Sequence, residues 1–512
     1  MKRLKLLGMI AVLAALLAAV VLYASPYAPA VGPCIDIEEM WAIEDAREYV
    51  EGALITRLEM NGVPLAYSEA ENTFYCPIGL DHEEWPQIHL TAPGAKGVRL
   101  LFSDDYTYDW CSDAVKEGYA YEIMAYSDTQ YAYFYIVFTG LPIVSLTTQE
   151  MITAEDTVAA FAFGVPGRQG FESPARVHLR GDRSLEWKPK GGYKVEFTRG
   201  MQGGGVVREV DGLCMTDEIL LLPIAIDNTM MRDKLSWDMV GLAIPEEEGF
   251  GGLPSQYVEL FVNGSYEGAY LMLKPFDNAA EMRKAGERSA YSDSLYRIAM
   301  MEMAKERPIL QDPTSGGIGY ELRHTPDTAH PFAALESYMD LLTETDDAAF
   351  EEKALACLDL DSLLRYELIM QAGAMVDNAY NNLYVWAHQT QSGVKYRFAF
   401  WDMDLTWGLY AGELGDRWVD WPIADRVIAL DVGGARARIG EIWEALKARG
   451  FTLDTVEGLV EQYTHELGDS GAFMRDAYRW GKGHFYPDGY EIVNFASTRF
   501  VMIDEWIASL TQ

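Results

Sequence analysis

The 512-residue chain has few cysteines and comparatively little positive charge, and both features narrow the possible functions. None of its five cysteines shows Cys-x-x-Cys spacing, which argues against a zinc site or a thioredoxin-like centre. Its 41 Lys and Arg are outnumbered by 78 Asp and Glu, giving a formal net charge of −37. Because nucleic acids are bound by basic surfaces, the charge argues against nucleic acid as a partner. It is compatible with a basic protein substrate.

Histidine gives no sign of a metal site, because the eight residues are scattered with no pair at ligand spacing. Internal repeats and low-complexity tracts are absent from the sequence as well. The composition, with 49% hydrophobic and 12% aromatic residues, is sufficient for large buried cores. The length predicts two or three domains.

Residues 6–24 form an apolar run that follows a basic leader at residues 2–5. The run is about long enough to cross a bilayer, and it predicts an uncleaved signal anchor that contacts the membrane. The A-x-A match at residues 28–30 keeps a cleaved signal peptide open as the alternative. In either case we expect the remaining chain to be exported, anchored facing outward or secreted. Residues 1–34 are therefore predicted to be a signal segment and spacer.

Residues 35–140 are dominated by short alternating or aromatic runs separated by turn signals such as Asn61-Gly62. This pattern predicts a small β-sandwich of immunoglobulin-like type. Cys76 and Cys111 lie in this region and could pair in an oxidising compartment, which the sequence leaves open.

Residues 141–512 change from strand patterns to helical patterns, which predicts an α+β fold. We expect paired strands at residues 177–180 and 193–197, and a hairpin around Asn263-Gly264. Residues 278–358 are predicted to be mostly helical, followed by a helix that Asp361 caps. The expected arrangement has a β-rich lobe and a helical lobe.

A second predicted hairpin carries the most informative polar residues. Its strands are predicted at residues 383–388 and 395–401, on either side of a Gly-containing turn. Because a hairpin returns its second strand to the starting end, Asn382 and Asp402 should lie side by side.

Asp377 lies five residues before Asn382, and Asp404 lies two residues after Asp402. Such a group of oxygen ligands, with one carboxylate set apart, suits Mg²⁺ held against a polyphosphate. Protein kinases use the same order of a catalytic Asp, an Asn five residues on, and a metal-binding Asp. A metal-dependent glycosidase would use the same carboxylates but ranks last. It needs one acid and one free carboxylate across a sugar, whereas this set is expected to pack together as metal ligands.

Four segments, in order, resemble the CotH family of spore-coat protein kinases. They resemble the family's Arg-Gly loop, its Asp followed by an Arg-led helix, its Asn-Gly-x-Tyr-x-Gly-x-Tyr hairpin, and its D-N-x-x-x-N element followed by W-D-L-D-x-T-x-G. The segments are LRGDRSLEWKPKGGYKVEF (179–197), DNTMMRDKLSWDM (227–239), YVELFVNGSYEGAYLML (257–273) and the stretch at 375–408.

The resemblance implies a divergent two-lobed protein-kinase fold that binds ATP with Mg²⁺ or Mn²⁺. It would phosphorylate Ser or Thr of a protein, and a basic, Ser-rich protein is the candidate substrate. The implied nucleotide-binding residues are Arg180, Gly181, Ser184, Lys190 and Lys194. Lys190 would also act catalytically by holding phosphates, with Lys194 as its alternative.

Asp377 would orient or deprotonate the substrate hydroxyl in such a kinase. Asn382 and Asp402 would hold the metal, and Asp404 would bind a second ion or support the first. Gly191 and Asp182 depart from the residues that are common in the family. The alternative function is therefore a catalytically weak cell-surface module that uses the fold for binding or adhesion.

Overall fold

The structure is a computed structural model in which thirteen segments of the chain are not described. The described residues are 30–31, 37–51, 54–80, 89–101, 111–181, 190–200, 203–245, 248–276, 293–299, 319–410, 417–483 and 486–510.

The described β-strands are numbered in chain order. They are β1 (Ala30–Val31), β2 (Glu48–Tyr49), β3 (Glu59–Met60), β4 (Val63–Pro64), β5 (Ala66–Ser68), β6 (Thr73–Pro77), β7 (His89–Thr91), β8 (Gly97–Leu101), β9 (Ala120–Tyr126), β10 (Gln130–Thr139), β11 (Ile143–Thr148), β12 (Thr157–Gly164), β13 (Phe171–Arg180), β14 (Gly192–Phe197), β15 (Arg208–Val210), β16 (Cys214–Thr216), β17 (Glu218–Leu222), β18 (Ser255–Val262), β19 (Ser265–Leu273), β20 (Ser294–Ala299), β21 (Gly319–His324), β22 (Leu383–Thr390) and β23 (Gly393–Phe400).

The described α-helices are numbered in the same way, and a short 3₁₀ turn (Val432–Gly434) lies between α8 and α9. They are α1 (Ile37–Asp45), α2 (Cys111–Glu117), α3 (Arg232–Ala243), α4 (Ala333–Leu342), α5 (Asp347–Cys357), α6 (Leu360–Gly373), α7 (Val376–Tyr380), α8 (Pro422–Ala429), α9 (Ala435–Ala448), α10 (Leu453–Asp469), α11 (Ala472–Trp480) and α12 (Tyr490–Leu510). Strands and helices together make an α+β protein, as predicted.

The chain divides into two compact units. The first contains residues 1–207, 257–270 and 465–486, and the second contains residues 208–256, 271–464 and 487–512. The predicted domain boundaries and the kinase-like lobes stay predictions.

The first unit begins with two sheets, in the orders β1-β7-β3-β4 and β5-β6-β10-β9-β8, and β2 is added to β10. Phe74, Phe134 and Ile136 lie in a core in which alternate residues of the strands are buried. β10 runs parallel to both β6 and β2. These parallel pairs differ from the antiparallel sheets of an immunoglobulin sandwich. The prediction missed them because an alternating sequence pattern indicates strands but not their direction.

The first unit continues with β11 to β14, each antiparallel to the next. The predicted pairing of the last two strands is confirmed, with Val177 opposite Val195. Val177, Val195 and Phe197 are buried, whereas His178 and Lys194 on the opposite face are partly exposed. This alternation is the period-two pattern of a half-buried sheet.

The second unit contains an antiparallel sheet in the order β21-β20-β22-β23, and this corrects the prediction of a mostly helical segment at 278–358. Helices α4 and α5 lie in that range, but so do two strands. Leu295 and Ile298 of β20 are buried, so packing in the sheet decides their conformation. Short apolar runs are ambiguous between helix and strand when they are read alone.

The cap of α6 is Asp359 rather than the predicted Asp361. The Asp359 side chain accepts a hydrogen bond from the backbone N–H of Ser362 (3.2 Å). Asp361 instead pairs with Arg438 at 2.6 Å. The prediction chose the wrong residue because two aspartates lie at the helix start, and both are of the type that favours capping.

No helix in the described part of the chain is long and apolar enough to cross a membrane. The predicted anchor at residues 6–24 lies outside the described residues.

The sulfur of Cys76 is buried and lies 3.5 Å from the sulfur of Met60. The pairing of Cys76 with Cys111 stays a prediction.

Candidate functional site

The hairpin that carries the candidate site forms as predicted, with β22 and β23 joined by a two-residue turn at residues 391–392. Leu383 pairs with Phe400, so the residues before β22 and after β23 meet at one end of the hairpin. Asn382 and Asp402 therefore flank the same end. The strand bounds differ from the prediction by one or two residues at their ends.

Asn378 fixes that end of the hairpin. Its buried side-chain amide donates to the carbonyl of Trp401 (2.7 Å) and lies 3.4 Å from the carbonyl of Asn382. The backbone carbonyl of Asn378 accepts a hydrogen bond from the hydroxyl of Tyr366 on α6 (2.8 Å). One amide thus ties the chain on both sides of this end, before β22 and after β23, to the short helix α7.

Asp377 lies on α7, partly buried, beside Asn382. The Asn382 amide nitrogen donates to Oδ2 of Asp377 at 2.6 Å, and Asn381 Nδ2 lies 3.4 Å from both carboxylate oxygens. The Asn382 amide oxygen accepts from Nη2 of Arg297 on β20 (2.7 Å). The carboxylate is therefore held by one short hydrogen bond to Oδ2.

Both residues that flank the hairpin have left-handed backbone conformations. Asn382 has φ 42° and Asp402 has φ 55°. Non-glycine residues rarely adopt positive φ, and Asn and Asp tolerate it better than most others. This conformation turns the chain just before β22 and just after β23, at the same end of the hairpin.

The carboxylates near the hairpin repel one another. Burial, followed by the charge of Asp402, raises the pKa of Asp377. Burial, reinforced by Asp402 and Asp233, raises the pKa of the partly buried Asp404 well above its ordinary value. Asp402 itself is exposed. Negative charge is therefore concentrated at this end of the hairpin.

The segment after Asp404 is held against α3 by buried hydrogen bonds. The hydroxyl of Ser236 on α3 lies 2.9 Å from that of Thr406, and it also accepts from the indole nitrogen of Trp407 (2.9 Å). Trp407 is fully buried. It packs in the core and presents no stacking surface to a ligand.

Asp227 organises the start of α3. Its buried carboxylate accepts from the backbone N–H groups of Thr229, Met231 and Arg232, each at 2.9 Å. It also pairs with the guanidinium of Arg232 at 2.5 Å. These contacts give Asp227 a structural role in the turn that precedes α3.

Lys190, in the first unit, is buried, and its ammonium group pairs with the carboxylate of an aspartate. Its ammonium pairs with Asp476 of α11, donates to the carbonyl of Ala269 (2.6 Å) and lies 4.6 Å from the ring centre of Tyr270. Only 2% of its side chain is exposed. Burial lowers the pKa of Lys190 to about 8, against the opposing effect of Asp476.

Lys194 and Arg180 share the partly exposed face of β13 and β14, where Lys194 lies opposite His178. Lys190 and Lys194 are thus in different environments, one enclosed and one on an outer face. Gly181 has φ 121°, a backbone conformation that essentially requires glycine. Ser184 lies outside the described residues.

A comparison with protein families matches residues 177–503 to the family described as CotH kinase protein. The match covers more than half of the chain. The chain belongs to the CotH family. No curated protein matches the chain.

The donor atoms of this CotH-family chain fit Mg²⁺ in their chemistry. Asp377, Asp402 and Asp404 supply carboxylates and Asn382 an amide oxygen, which are the hard ligands that this ion prefers. Burial first, and then the charges of Asp402 and Asp233, raise the pKa of Asp404, and a divalent cation would offset those charges. Within the described ranges, no three His, Cys, Asp or Glu side chains already stand at ligand distance from a common point.

Sequence reasoning missed three residues that hold the candidate site residues or their hairpin in place: Asn378, Arg297 and Asp476. Asn378 carried a local signal, since it directly follows Asp377 in the family's Asp-Asn pair. Arg297 and Asp476 carried none, because each lies far along the chain from the residue that it contacts. Both contacts depend on tertiary structure.

Proposed function

We propose that this CotH-family protein is an exported, Mg²⁺-dependent protein kinase. It transfers the γ-phosphoryl group of ATP to Ser or Thr of a protein substrate. The observation that carries the proposal is the short hydrogen bond from Asn382 to Asp377 at the acidic end of the hairpin. The spacing matches the layout by which protein kinases position a base and a metal.

Asp377 is the proposed base. The substrate hydroxyl attacks the γ-phosphorus, the bond from that phosphorus to the β–γ bridging oxygen breaks, and ADP leaves. The hydroxyl proton passes to the Asp377 carboxylate. Burial beside Asp402 raises the pKa of Asp377, which makes it a stronger proton acceptor than an exposed aspartate. Its fixed Oδ2 supports a defined orientation.

Asn382, Asp402 and Asp404 would hold Mg²⁺ or Mn²⁺, which would neutralise phosphate charge when bound. Lys190 is proposed to bind nucleotide phosphates. Its pairing with Asp476 is compatible with this role, since kinases also pair their phosphate-binding lysine with a carboxylate. The formal charge of −37 favours a basic substrate, and a Ser-rich one would supply acceptors.

A non-catalytic surface module is the second candidate. It is favoured by the enclosure of Lys190, whose ammonium already has a carboxylate and a carbonyl as partners. Such a protein would retain the fold for adhesion and need no phosphate contact from this lysine.

The test compares the full-length protein with Asp402→Ala and Asp361→Ala variants. Each is incubated with γ-labelled ATP, Mg²⁺ or Mn²⁺, and a basic Ser-rich protein. A kinase should label the acceptor on Ser or Thr and lose that activity in D402A. It should keep the activity in D361A, which removes a surface carboxylate paired only with Arg438 in the described structure. Absence of transfer by the wild type, with no ATP-dependent thermal shift, would favour the binding module.

A further inference from the structure

Arg297 stands out because the resemblance assigns it no role, although it contacts the candidate site directly. Its Nη2 donates to Oδ1 of Asn382 at 2.7 Å, and Nδ2 of Asn382 donates to Asp377 at 2.6 Å. The two contacts define the orientation of the amide. A flipped amide would place two donors together at Arg297 and two acceptors together at Asp377.

The guanidinium of Arg297 is itself held by neighbouring strands. It lies on β20, opposite Tyr384 of β22 and Glu321 of β21. Nη1 lies 3.8 Å from the Glu321 carboxylate, which also pairs with Arg323 at 3.2 Å. The sheet therefore delivers the positive charge to Asn382 from a fixed direction.

We propose that Arg297 is a positioning residue that competes with the divalent cation for the amide oxygen of Asn382. This inference rests on the proposed function, because it assumes that Asn382 is a metal ligand. While Arg297 holds Oδ1, Asn382 orients Asp377 but directs its oxygen toward the guanidinium. Metal ligation by the same oxygen requires the cation to displace or share that hydrogen bond.

The competition has a measurable consequence. Breaking a hydrogen bond to a charged group makes metal binding weaker than the ligands alone would allow. Replacing Arg297 with Met should therefore increase the affinity for Mn²⁺ roughly tenfold. Removal of a nearby positive charge also favours a cation at any acidic site, so the experiment must separate this general effect from the contact with Asn382.

The experiment is a double-mutant cycle on the full-length protein, with Mn²⁺ binding measured by electron paramagnetic resonance in the absence of nucleotide. The proteins are wild type, R297M, N382A and the double variant. Arg323→Met is the matched control, because it removes a charge from the same pairing with Glu321 and has no hydrogen bond to Asn382 among the described residues. Thermal melting verifies folding. If R297M does not fold, R297K replaces it in the comparison, because lysine keeps the positive charge but lacks the planar guanidinium.

We expect tighter Mn²⁺ binding by R297M, a smaller increase for R297K, and at most about a threefold change for R323M. The increase should disappear in the N382A background. An equal increase with and without Asn382, or no increase in R297M and R297K, would overturn the proposal while leaving the metal site intact. Failure of the wild type to bind Mn²⁺ would overturn both this inference and the metal dependence of the proposed kinase.

Discussion

Lys190 and Asp476 form an ion pair that is closed to solvent on both sides, with exposures of 2% and 0%. Asp476 also accepts from the backbone N–H of Ala269 (3.0 Å) and pairs with Lys482 at 2.8 Å. Asp476→Asn should therefore lower the free energy of unfolding by about 3–5 kcal/mol, because Lys190 would be left buried without its counter-charge. Urea denaturation measures the loss.

The matched control is Asp128→Asn, which breaks the pair of Asp128 with Lys96 (2.6 Å). Both of those side chains are more than half exposed. Solvent screens such an exposed pair, so this variant should unfold almost as the wild type does. Similar losses in the two variants would show that enclosure of the Lys190 pair does not determine its contribution.

Gly268 allows the backbone of β19 to approach this ion pair. A Cβ added there would lie 2.3 Å from an Asp476 oxygen and 3.0 Å from Nζ of Lys190, and Gly268 has φ 108°. Gly268→Ala should cost roughly 2–4 kcal/mol more stability than Gly393→Ala. Gly393 has φ 119° but no atom within 4 Å of an added Cβ, so its substitution isolates the backbone strain. Equal melting temperatures for the two variants would contradict the predicted clash.

The two candidate lysines should differ in their effect on catalysis. Lys190→Met should reduce kcat/KM for ATP by roughly 10²–10³-fold if Lys190 stabilises phosphate charge. Lys194→Met, on the partly exposed face of β14, should reduce it by less than about tenfold. Steady-state kinetics with thermal melting as a folding check measures both. The reverse order would assign phosphate binding to Lys194.

The local part of the candidate site was predictable, because Asp377, Asn382 and Asp402 belong to one hairpin and its flanking helix. Spacing and turn chemistry were sufficient to bring them to one end. The helix cap was misplaced by two residues because Asp359 and Asp361 have the same local propensity. Such choices depend on packing that a short sequence window does not contain.

Long-range partners were not predictable from local patterns. Arg297 contacts Asn382 across 85 residues, and Lys190 contacts Asp476 across 286. The strand that carries Arg297 was interpreted as helix, since its burial in a four-stranded sheet is a tertiary property. Local patterns identified the paired strands β13 and β14 and the hairpin of β22 and β23, but only the tertiary structure shows which charges become partners.

Glu367 on α6 should make stability fall as pH rises. It is almost fully buried, and Oε1 accepts from Nε2 of Gln371 at 2.7 Å. Burial, opposed by that hydrogen bond and reinforced by Asp425, raises its pKa from 4.5 to about 8. Between these values the folded protein retains a proton that the unfolded chain releases. The contribution of this group to stability is therefore present below about pH 4.5 and lost as pH rises through about 8.

Glu367→Gln removes that proton while keeping an oxygen that can accept from Gln371. Because a pKa shift of one unit corresponds to about 1.4 kcal/mol, the variant should gain stability over the wild type by up to ~1.4 kcal/mol per pH unit in this window. Urea unfolding at pH 5, 6.5 and 8 measures the difference, with exposed Glu461→Gln on α10 as the control. The E367Q advantage should grow steadily from pH 5 to pH 8, whereas E461Q should follow the wild type. A constant difference for E367Q would show that Glu367 is already ionised in the folded protein at pH 5.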